Sequence, residues 1–96
     1  MAKAYWVATY REVKDAAKLA AYAKLAGPAI AAGGGVFLAR GTALHAYEKG
    51  VKERVVVIQF DSAAAAVATH DAPEYQAALQ ALGDGAVRDL RIVEGT

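Results

Sequence analysis

The sequence predicts a small α+β domain, in which strands and helices pack around one hydrophobic core. Two kinds of segment indicate this class. Short stretches are rich in β-branched and aromatic residues, which favour strands, and longer stretches are rich in alanine, leucine and lysine, which favour helices. Clusters of glycine and proline separate them. The chain of 96 residues is long enough for one core, and we predict a single domain over residues 1–96.

Four segments are predicted to be strands, and a fifth is a weaker candidate. Residues 4–13 are largely apolar on both of their alternating faces. Residues 36–40 follow, and the run RVVVIQF at 54–60 holds four consecutive β-branched residues, which is typical of a central strand covered on both sides. Residues 90–94 (LRIVE) form the closing strand, and residues 43–48 (ALHAYE) are the candidate for an extra short strand.

The first helix is predicted over residues 16–32. Asp15 is suited to cap its start, because a carboxylate accepts hydrogen bonds from the free N–H groups of a first turn. The Gly-Pro pair at 27–28 predicts a kink or a restart, since proline removes a backbone hydrogen bond. The three glycines at 33–35 are expected to end the helix.

A second helix is predicted from Ala63 to about His70 with Asp61 or Ser62 as its cap, and Pro73 is suited to the first position of another helical turn through about Leu82. The order of elements is therefore β-α-β-β-α-β, which is the ferredoxin-like order. It predicts a four-stranded antiparallel sheet with two helices on one face.

The other face of this sheet has no predicted cover. The strands at 4–10 and 54–60 are apolar on both faces, and two helices can shield only one of them. Alanine supplies 25 of the hydrophobic residues, so the core of a lone monomer would be thin. A second copy of the chain is the simplest cover, and we predict a homodimer in which two sheets pack face to face.

Composition excludes several classes of function. A net charge of +1, from 11 basic and 10 acidic residues, argues against binding to nucleic acid or to an anionic membrane. The chain contains no cysteine, which excludes disulfides and thiolate chemistry. It shows neither a signal-peptide pattern nor an apolar run of membrane-spanning length, so a cytoplasmic protein is predicted. No motif indicates a cofactor, and we predict none.

Arg40 and Arg54 are the first candidates for a ligand site. Each lies at one end of a strongly apolar strand, where a guanidinium can point into a pocket and bind an anion through two hydrogen bonds. Strand alternation groups Arg40 with Val36 and Leu38. The alternative for both arginines is a salt bridge within the sheet or the dimer, and for Arg40 the partner would be a carboxylate such as Glu94 or Glu74.

Aromatic and titratable side chains complete the candidate site. Trp6, Tyr22 and Tyr75 are candidates for pocket walls, although aromatic residues at such spacing are also typical of a core. Glu74 is a candidate near the cleft, and its alternative role is to complement a helix dipole. His70 is the candidate catalytic acid or base at neutral pH, with a structural role at a helix end as the alternative. The histidines and carboxylates lack metal-ligand spacing, so no metal site is predicted.

Six segments follow one another almost from end to end of the chain: AYWVA, LAAYAKLAGPAI, GGGVFLARG, ERVVVIQFDS, APEYQAAL and LRIVEG. In this order they resemble the DUF1330 family (domain of unknown function 1330). The resemblance implies a ferredoxin-like fold and membership of the dimeric α/β-barrel superfamily. It also implies that the polar and aromatic positions that recur in the family are Tyr22, Arg40, Arg54, Glu74, Tyr75 and Glu94.

The chain departs from the family pattern near its second helical region. Relatives often have an aromatic pair before a Ser-Pro-Glu-Tyr element and an arginine later in that helix, whereas the matching places here are Thr69-His70 and Leu82. Ala72 replaces the serine. The family implies no established activity, and the wider fold includes cofactor-independent monooxygenases, dehalogenase-like proteins and binding proteins.

The sequence therefore predicts a homodimer that binds or transforms a small anionic or carbonyl-bearing organic molecule. Arg40 would hold the anion or carbonyl, with Tyr22, Trp6 and Tyr75 as walls. The competing hypothesis is a non-catalytic module whose polar residues stabilise the dimer.

Overall fold

The computed structural model describes residues 2–96, which form one antiparallel sheet with helices on one face. Within this range the elements are β1 (Ala4–Val13), α1 (Ala16–Ala32), β2 (Val36–Thr42), β3 (Arg54–Phe60), α2 (Ala63–Asp71), α3 (Pro73–Leu82) and β4 (Ala86–Glu94). The strand order is β2-β3-β1-β4, and every neighbouring pair is antiparallel. The predicted α+β class and ferredoxin-like topology are confirmed, with β1 and β3 in the centre of the sheet.

Two strand predictions are wrong. The candidate strand at 43–48 is absent, because this segment leaves the sheet edge after Thr42 and β3 offers pairing only from Arg54 onwards. Conversely, β4 begins at Ala86 rather than at residue 90. An irregularity between Tyr10 and Glu12 lets β1 continue its pairing as far as Ala86.

The region between β3 and β4 forms two separate helices in the described chain, with the break before Pro73 where the sequence predicted another helical turn to begin. Ala72 between them has an extended backbone (φ −68°, ψ 148°), as expected for the residue before a proline. The chain described by the structure thus has three helices where the β-α-β-β-α-β order counts two. In α1 there is no restart at Pro28. Gly27 has no Cβ to collide with the proline ring, and this allows the helix to continue.

Side chains cap two of the helices and leave one uncapped. Asp15 Oδ1 accepts hydrogen bonds from the backbone N–H groups of Ala17 at 3.0 Å and Lys18 at 3.1 Å, as predicted. Of the two candidates for the second cap, Ser62 is the residue used, and its Oγ accepts from Ala65 at 3.1 Å. At α3 the side-chain cap is lost, because Ala72 stands at the capping position.

The core lies between the helices and one face of the sheet. Trp6 is at its centre and is 1% exposed; its ring stacks on Phe60 at 5.9 Å and meets the edge of Tyr75 at 4.9 Å between centroids. Ala66 and Ala78 are fully buried on the helices. Small residues on the helices let them approach the sheet closely, so a few large aromatic side chains fill the space between the layers.

The opposite face of the sheet, which we call the open face, is apolar and uncovered by any element of residues 2–96. It carries Val7 of β1 and its partners Val57 of β3 and Arg91 of β4. Val36 and Val93 on the same face are 54% and 56% exposed. The loop at 43–53 curls beside this face and leaves a concave bay of about 630 Å³. The sheet thus has a packed side and an unpaired side.

A side chain at Gly35, the residue before β2, is expected to destabilise the core. A Cβ there would lie 2.5 Å from Ile30 Cγ2 and 2.9 Å from Phe60 Cζ, both in the core. Gly35→Ala should lower the free energy of unfolding by about 1–3 kcal/mol, measured by urea denaturation. Gly41→Ala is the matched control, since nothing lies within 4 Å of its Cβ position. Equal stability of the two variants would contradict this packing.

Candidate functional site

A cavity lies between α1 and the helix-covered face of the sheet. Its volume is about 40 Å³, room for roughly three water-sized groups. Trp6 and Ile58, each 1% exposed, belong to its buried end, whereas Ala23 and Arg40 are exposed at its mouth. The cavity is therefore a pocket that opens to solvent between α1 and β2. Its walls are apolar or aromatic, and its charged lining residues are Arg40, Arg54 and Arg88.

Local structure explains why these side chains converge. Alternation along β1 points Trp6 and Tyr10 toward the helices. On α1, the spacing of four residues puts Tyr22, Ala26 and Ile30 on the buried stripe, and the small side chain of Ala26 leaves space beside the two larger residues.

Arg40 reaches the cavity through an irregularity in β2. Between Phe37 and Ala39 the register with β3 shifts, so Arg40 pairs with Val56 and shares the helix-covered face with Phe37. Its guanidinium carbon lies 4.6 Å from the centroid of the Phe37 ring. The predicted grouping of Arg40 with Val36 and Leu38 is wrong, because simple alternation does not continue across such a shift.

The centre of the site is a cluster formed by Arg88 and three tyrosine hydroxyls. Arg88 Nη1 donates to the hydroxyls of Tyr10 and Tyr22, both at 3.1 Å, and Nη2 donates to Tyr75 at 3.0 Å. The hydroxyls of Tyr22 and Tyr75 are also hydrogen-bonded to each other, at 2.7 Å. The guanidinium carbon lies 4.6 Å from the centroid of the Tyr22 ring. We call these four residues the Arg88 cluster.

The environment fixes the ionisation states in the Arg88 cluster. Burial raises the pKa of Tyr22 above that of a free tyrosine, and the charge of Arg88 only partly offsets this effect. Burial likewise raises the pKa of Tyr10. Burial alone would lower the pKa of Arg88, but the oxygens of the three tyrosines outweigh it, and this pKa is raised. The neutral phenols of Tyr10 and Tyr22 therefore lie beside a charged guanidinium at neutral pH.

Positive charge in the cavity is not balanced by the protein. Over residues 2–96, no carboxylate oxygen lies within 4.0 Å of a nitrogen of Arg40, Arg54 or Arg88. The alternative pairs for Arg40 are not formed. Glu94 is on β4, at the opposite edge of the sheet from β2, and Glu74 is exposed on α3. Arg54 also has an Nε that is buried and lacks a hydrogen-bond acceptor in the part of the chain that the structure describes.

The structure brings together only part of the predicted site. Trp6, Tyr22, Arg40 and Arg54 all line the cavity. Tyr75 is fully buried behind them and joins through its hydroxyl.

The predicted catalytic His70 lies outside the cavity lining, and so does Glu74. The ring of His70 packs against Trp6 at 5.8 Å and Tyr75 at 5.3 Å between centroids. Its Nδ1 lies 3.0 Å from Asp71 Oδ1. These contacts fit the structural alternative.

Sequence reasoning missed Arg88 and Tyr10 as site residues. Arg88 lay outside the predicted closing strand, which began at residue 90, and it therefore had no assigned face. Tyr10 was already on the inward face of β1. Extending β4 to pair with all of β1 would have placed Arg88 opposite Tyr10, as the register shows.

Residues 2–96 contain neither a candidate metal site nor a candidate membrane-spanning helix. No group of three or more His, Cys, Asp or Glu side chains within 2–96 is placed to hold a metal ion. None of the helices in this range has the length and hydropathy needed to cross a bilayer.

Comparison with known proteins assigns the family. A family model described as "Domain of unknown function (DUF1330)" matches residues 3–96. The chain belongs to the DUF1330 family. No curated protein matches its sequence significantly. In this DUF1330 chain, Leu82 of α3 is buried at 4% exposure, and the guanidinium of the cluster comes from Arg88 of β4.

Solved structures share the fold at low sequence identity. A protein of unknown function from Rhodopseudomonas palustris has 20% identity and a TM-score of 0.77, covering 99% of this chain and 83% of its own. A dimeric ferredoxin-like protein of unknown function from Thermobifida fusca has 18% identity and a TM-score of 0.57, covering 97% and 91%. SnoaB, a cofactor-independent oxygenase from Streptomyces nogalater, has 14% identity and a TM-score of 0.64, covering 100% and 95%.

Tyr75→Phe should destabilise this DUF1330 domain by about 1.5–3 kcal/mol, the range for a lost hydrogen bond to a charged group. The change removes the oxygen that accepts from Arg88 Nη2 and bonds to Tyr22, without altering the packing of the ring. Tyr47→Phe is the control, because Tyr47 is 78% exposed. Urea denaturation checks both, and an equal, small effect would show that the cluster does not stabilise the fold.

Proposed function

We propose that this chain binds a small organic anion in the cavity lined by Arg40, Arg54 and Arg88. The observation that carries the proposal is the charge of this lining: guanidinium groups from three different strands and no acidic side chain among the lining residues within 2–96. Arginine stays protonated at all relevant pH values, and an uncompensated charge in an apolar site is costly. A bound anion would balance it.

Arg54 supports the same proposal. Its buried Nε has no acceptor among the described residues, and an unsatisfied buried donor costs about 1–3 kcal/mol. A bound anion would sit beside this guanidinium, which lines the cavity, and would balance its charge. Guanidinium groups bind carboxylates through paired N–H donors, which is the chemistry that the predicted anionic or carbonyl-bearing ligand requires.

The shape of the cavity limits the ligand. The enclosed space suits a carboxylate or carbonyl head, and the mouth beside Ala23 and Arg40 leaves room for the rest of the molecule outside. Trp6 and Phe37 offer apolar walls. A small aromatic or aliphatic acid therefore fits better than a polar sugar phosphate. SnoaB, on the same fold, is a cofactor-independent oxygenase, which supports a proposal of ligand chemistry without a cofactor.

A homodimer is the second part of the proposal. The open face carries Val7, Val55 and Val57 and has no cover within residues 2–96, and a second copy would supply that cover. The dimeric neighbour from Thermobifida fusca supports this assembly. The arginines and tyrosines of the cavity lie on the other face, so they are poorly placed to hold such a dimer together. This favours the ligand-binding hypothesis over the purely structural one.

Benzoate is a suitable probe of the anion site. Arg54→Met keeps a long unbranched side chain but removes the charge. It should weaken benzoate binding at least tenfold, equivalent to about 1.4 kcal/mol, as measured by isothermal titration calorimetry. Lys24→Met, on the exposed side of α1, removes the same charge away from the cavity and should leave the affinity unchanged. Equal weakening in both variants, or no saturable binding to the wild type, would overturn the proposal.

Neighbouring residues of β3 test the homodimer. Val57 is on the open face and Ile58, 1% exposed, is in the core. Light scattering of the wild type should give twice 10.0 kDa, with an interface of at least about 1,000 Å². Val57→Asp should give a folded monomer, whereas Ile58→Asp should unfold the chain, because it buries a charge at a cost of several kcal/mol. A wild-type monomer, or an unaltered dimer of Val57→Asp, would exclude this face as the interface.

A further inference from the structure

The hydrogen bonds within the Arg88 cluster use some of its N–H and O–H hydrogens and leave others available. Arg88 Nη1 has two hydrogens, and its bonds to Tyr10 and Tyr22 use both of them. Nη2 uses one hydrogen on Tyr75. Each tyrosine oxygen therefore already accepts a hydrogen bond from the guanidinium. The bond between Tyr22 and Tyr75 takes one hydroxyl proton, which leaves two of the three hydroxyl protons for other acceptors.

Burial decides which hydroxyl donates in the Tyr22–Tyr75 bond. Tyr75 is 0% exposed and does not line the cavity, and its hydroxyl has no acceptor other than Tyr22 among residues 2–96. If Tyr22 donated, the proton of Tyr75 would be buried without an acceptor, which is costly. Tyr75 therefore donates to Tyr22. The protons left over belong to Tyr22 and Tyr10, and both of these residues line the cavity.

The cavity consequently presents donors. From α1 and β1 it receives the hydroxyl protons of Tyr22 and Tyr10. The guanidinium groups of Arg40, Arg54 and Arg88 add positive charge from β2, β3 and β4. Within 2–96, no Asp, Glu, His or Lys side chain lines it, so there is no strong base in the site.

We propose that this cavity selects weak organic acids of the phenol or enol type and holds them as their conjugate bases. The oxygen anion of such a ligand accepts hydrogen bonds from Tyr10 and Tyr22 beside three guanidinium charges, whereas the neutral O–H form finds no strong base to take its proton. This inference rests on the proposed anion site and specifies its ligand class. The rest of the ligand lies at the mouth of the cavity, beside Ala23 and Arg40.

Differential affinity changes the acidity of the ligand. If the anion binds more tightly than the neutral acid, the pKa of the bound ligand falls by the logarithm of the affinity ratio. The proton leaves to solvent through the open mouth, because the lining holds no base to receive it. The raised pKa of Tyr10 and Tyr22 keeps both hydroxyls as donors over the pH range in which the ligand ionises.

The probe for this inference is 4-nitrophenol, whose phenolate absorbs visible light and whose phenol does not. A pH titration of the probe with the full-length protein in excess should give a pKa at least about one unit below that of the free probe, which is a tenfold preference for the phenolate. Arg54→Met should reduce this shift, because it removes one of the positive charges that line the cavity. Lys24→Met changes the net charge equally and should retain the full shift.

The possible outcomes distinguish the preference for phenolate or enolate ligands from the anion site on which it rests. A bound probe with an unchanged or raised pKa overturns the inference, and so does a failure of 4-nitrophenol to bind when benzoate does. In both cases the anion site stands. If neither compound binds, both proposals fail. A shift that Lys24→Met reduces as much as Arg54→Met would also overturn the inference, because it would be an effect of net charge alone.

Discussion

The guanidinium of Arg88 is the point at which four elements of the fold meet. It extends from β4 and is hydrogen-bonded to Tyr10 of β1, Tyr22 of α1 and Tyr75 of α3. No carboxylate of residues 2–96 pairs with it, so its charge is stabilised by three neutral oxygens and by the faces of two tyrosine rings. Because none of these groups is a carboxylate, the positive charge of Arg88 is largely not neutralised. The electrostatic character of the cavity follows from this interaction.

The packing around the cluster depends on small residues. Alanine contributes little buried area, yet Ala26 lies beside the cavity and Ala66 and Ala78 allow close approach of the helices. The large side chains are few and are used where layers meet. Trp6 contacts Phe60 and Tyr75, and Tyr75 in turn reaches Arg88. Core and site are thus one continuous set of contacts: Trp6 and Tyr22 are both core residues and cavity walls, whereas Tyr75 is a core residue only.

Sequence reasoning could predict the order of elements because composition and breakers act locally. Asp15, Pro73 and the run at 54–60 carry their structural preference within a few residues. The residues of the candidate site were harder to predict, because the face on which a strand residue lies depends on the register of strand pairing. Arg40 changed face through a shift in β2, and Arg88 gained a face only once β4 was paired along β1. The burial of a titratable side chain also depends on tertiary contacts: the ring of His70 packs against Trp6 and Tyr75 and lies outside the cavity lining.

Strands β1 and β3 place successive residues on different sides of the sheet. Val57 faces the open side, and its neighbour Ile58 lines the cavity. Likewise, Val7 faces the open side, and its neighbour Trp6 lines the cavity. Along these strands, odd and even positions therefore meet different selective demands. In a family that shares this sheet, the open face and the lining of the cavity can change by substitutions at adjacent positions, without either change constraining the other.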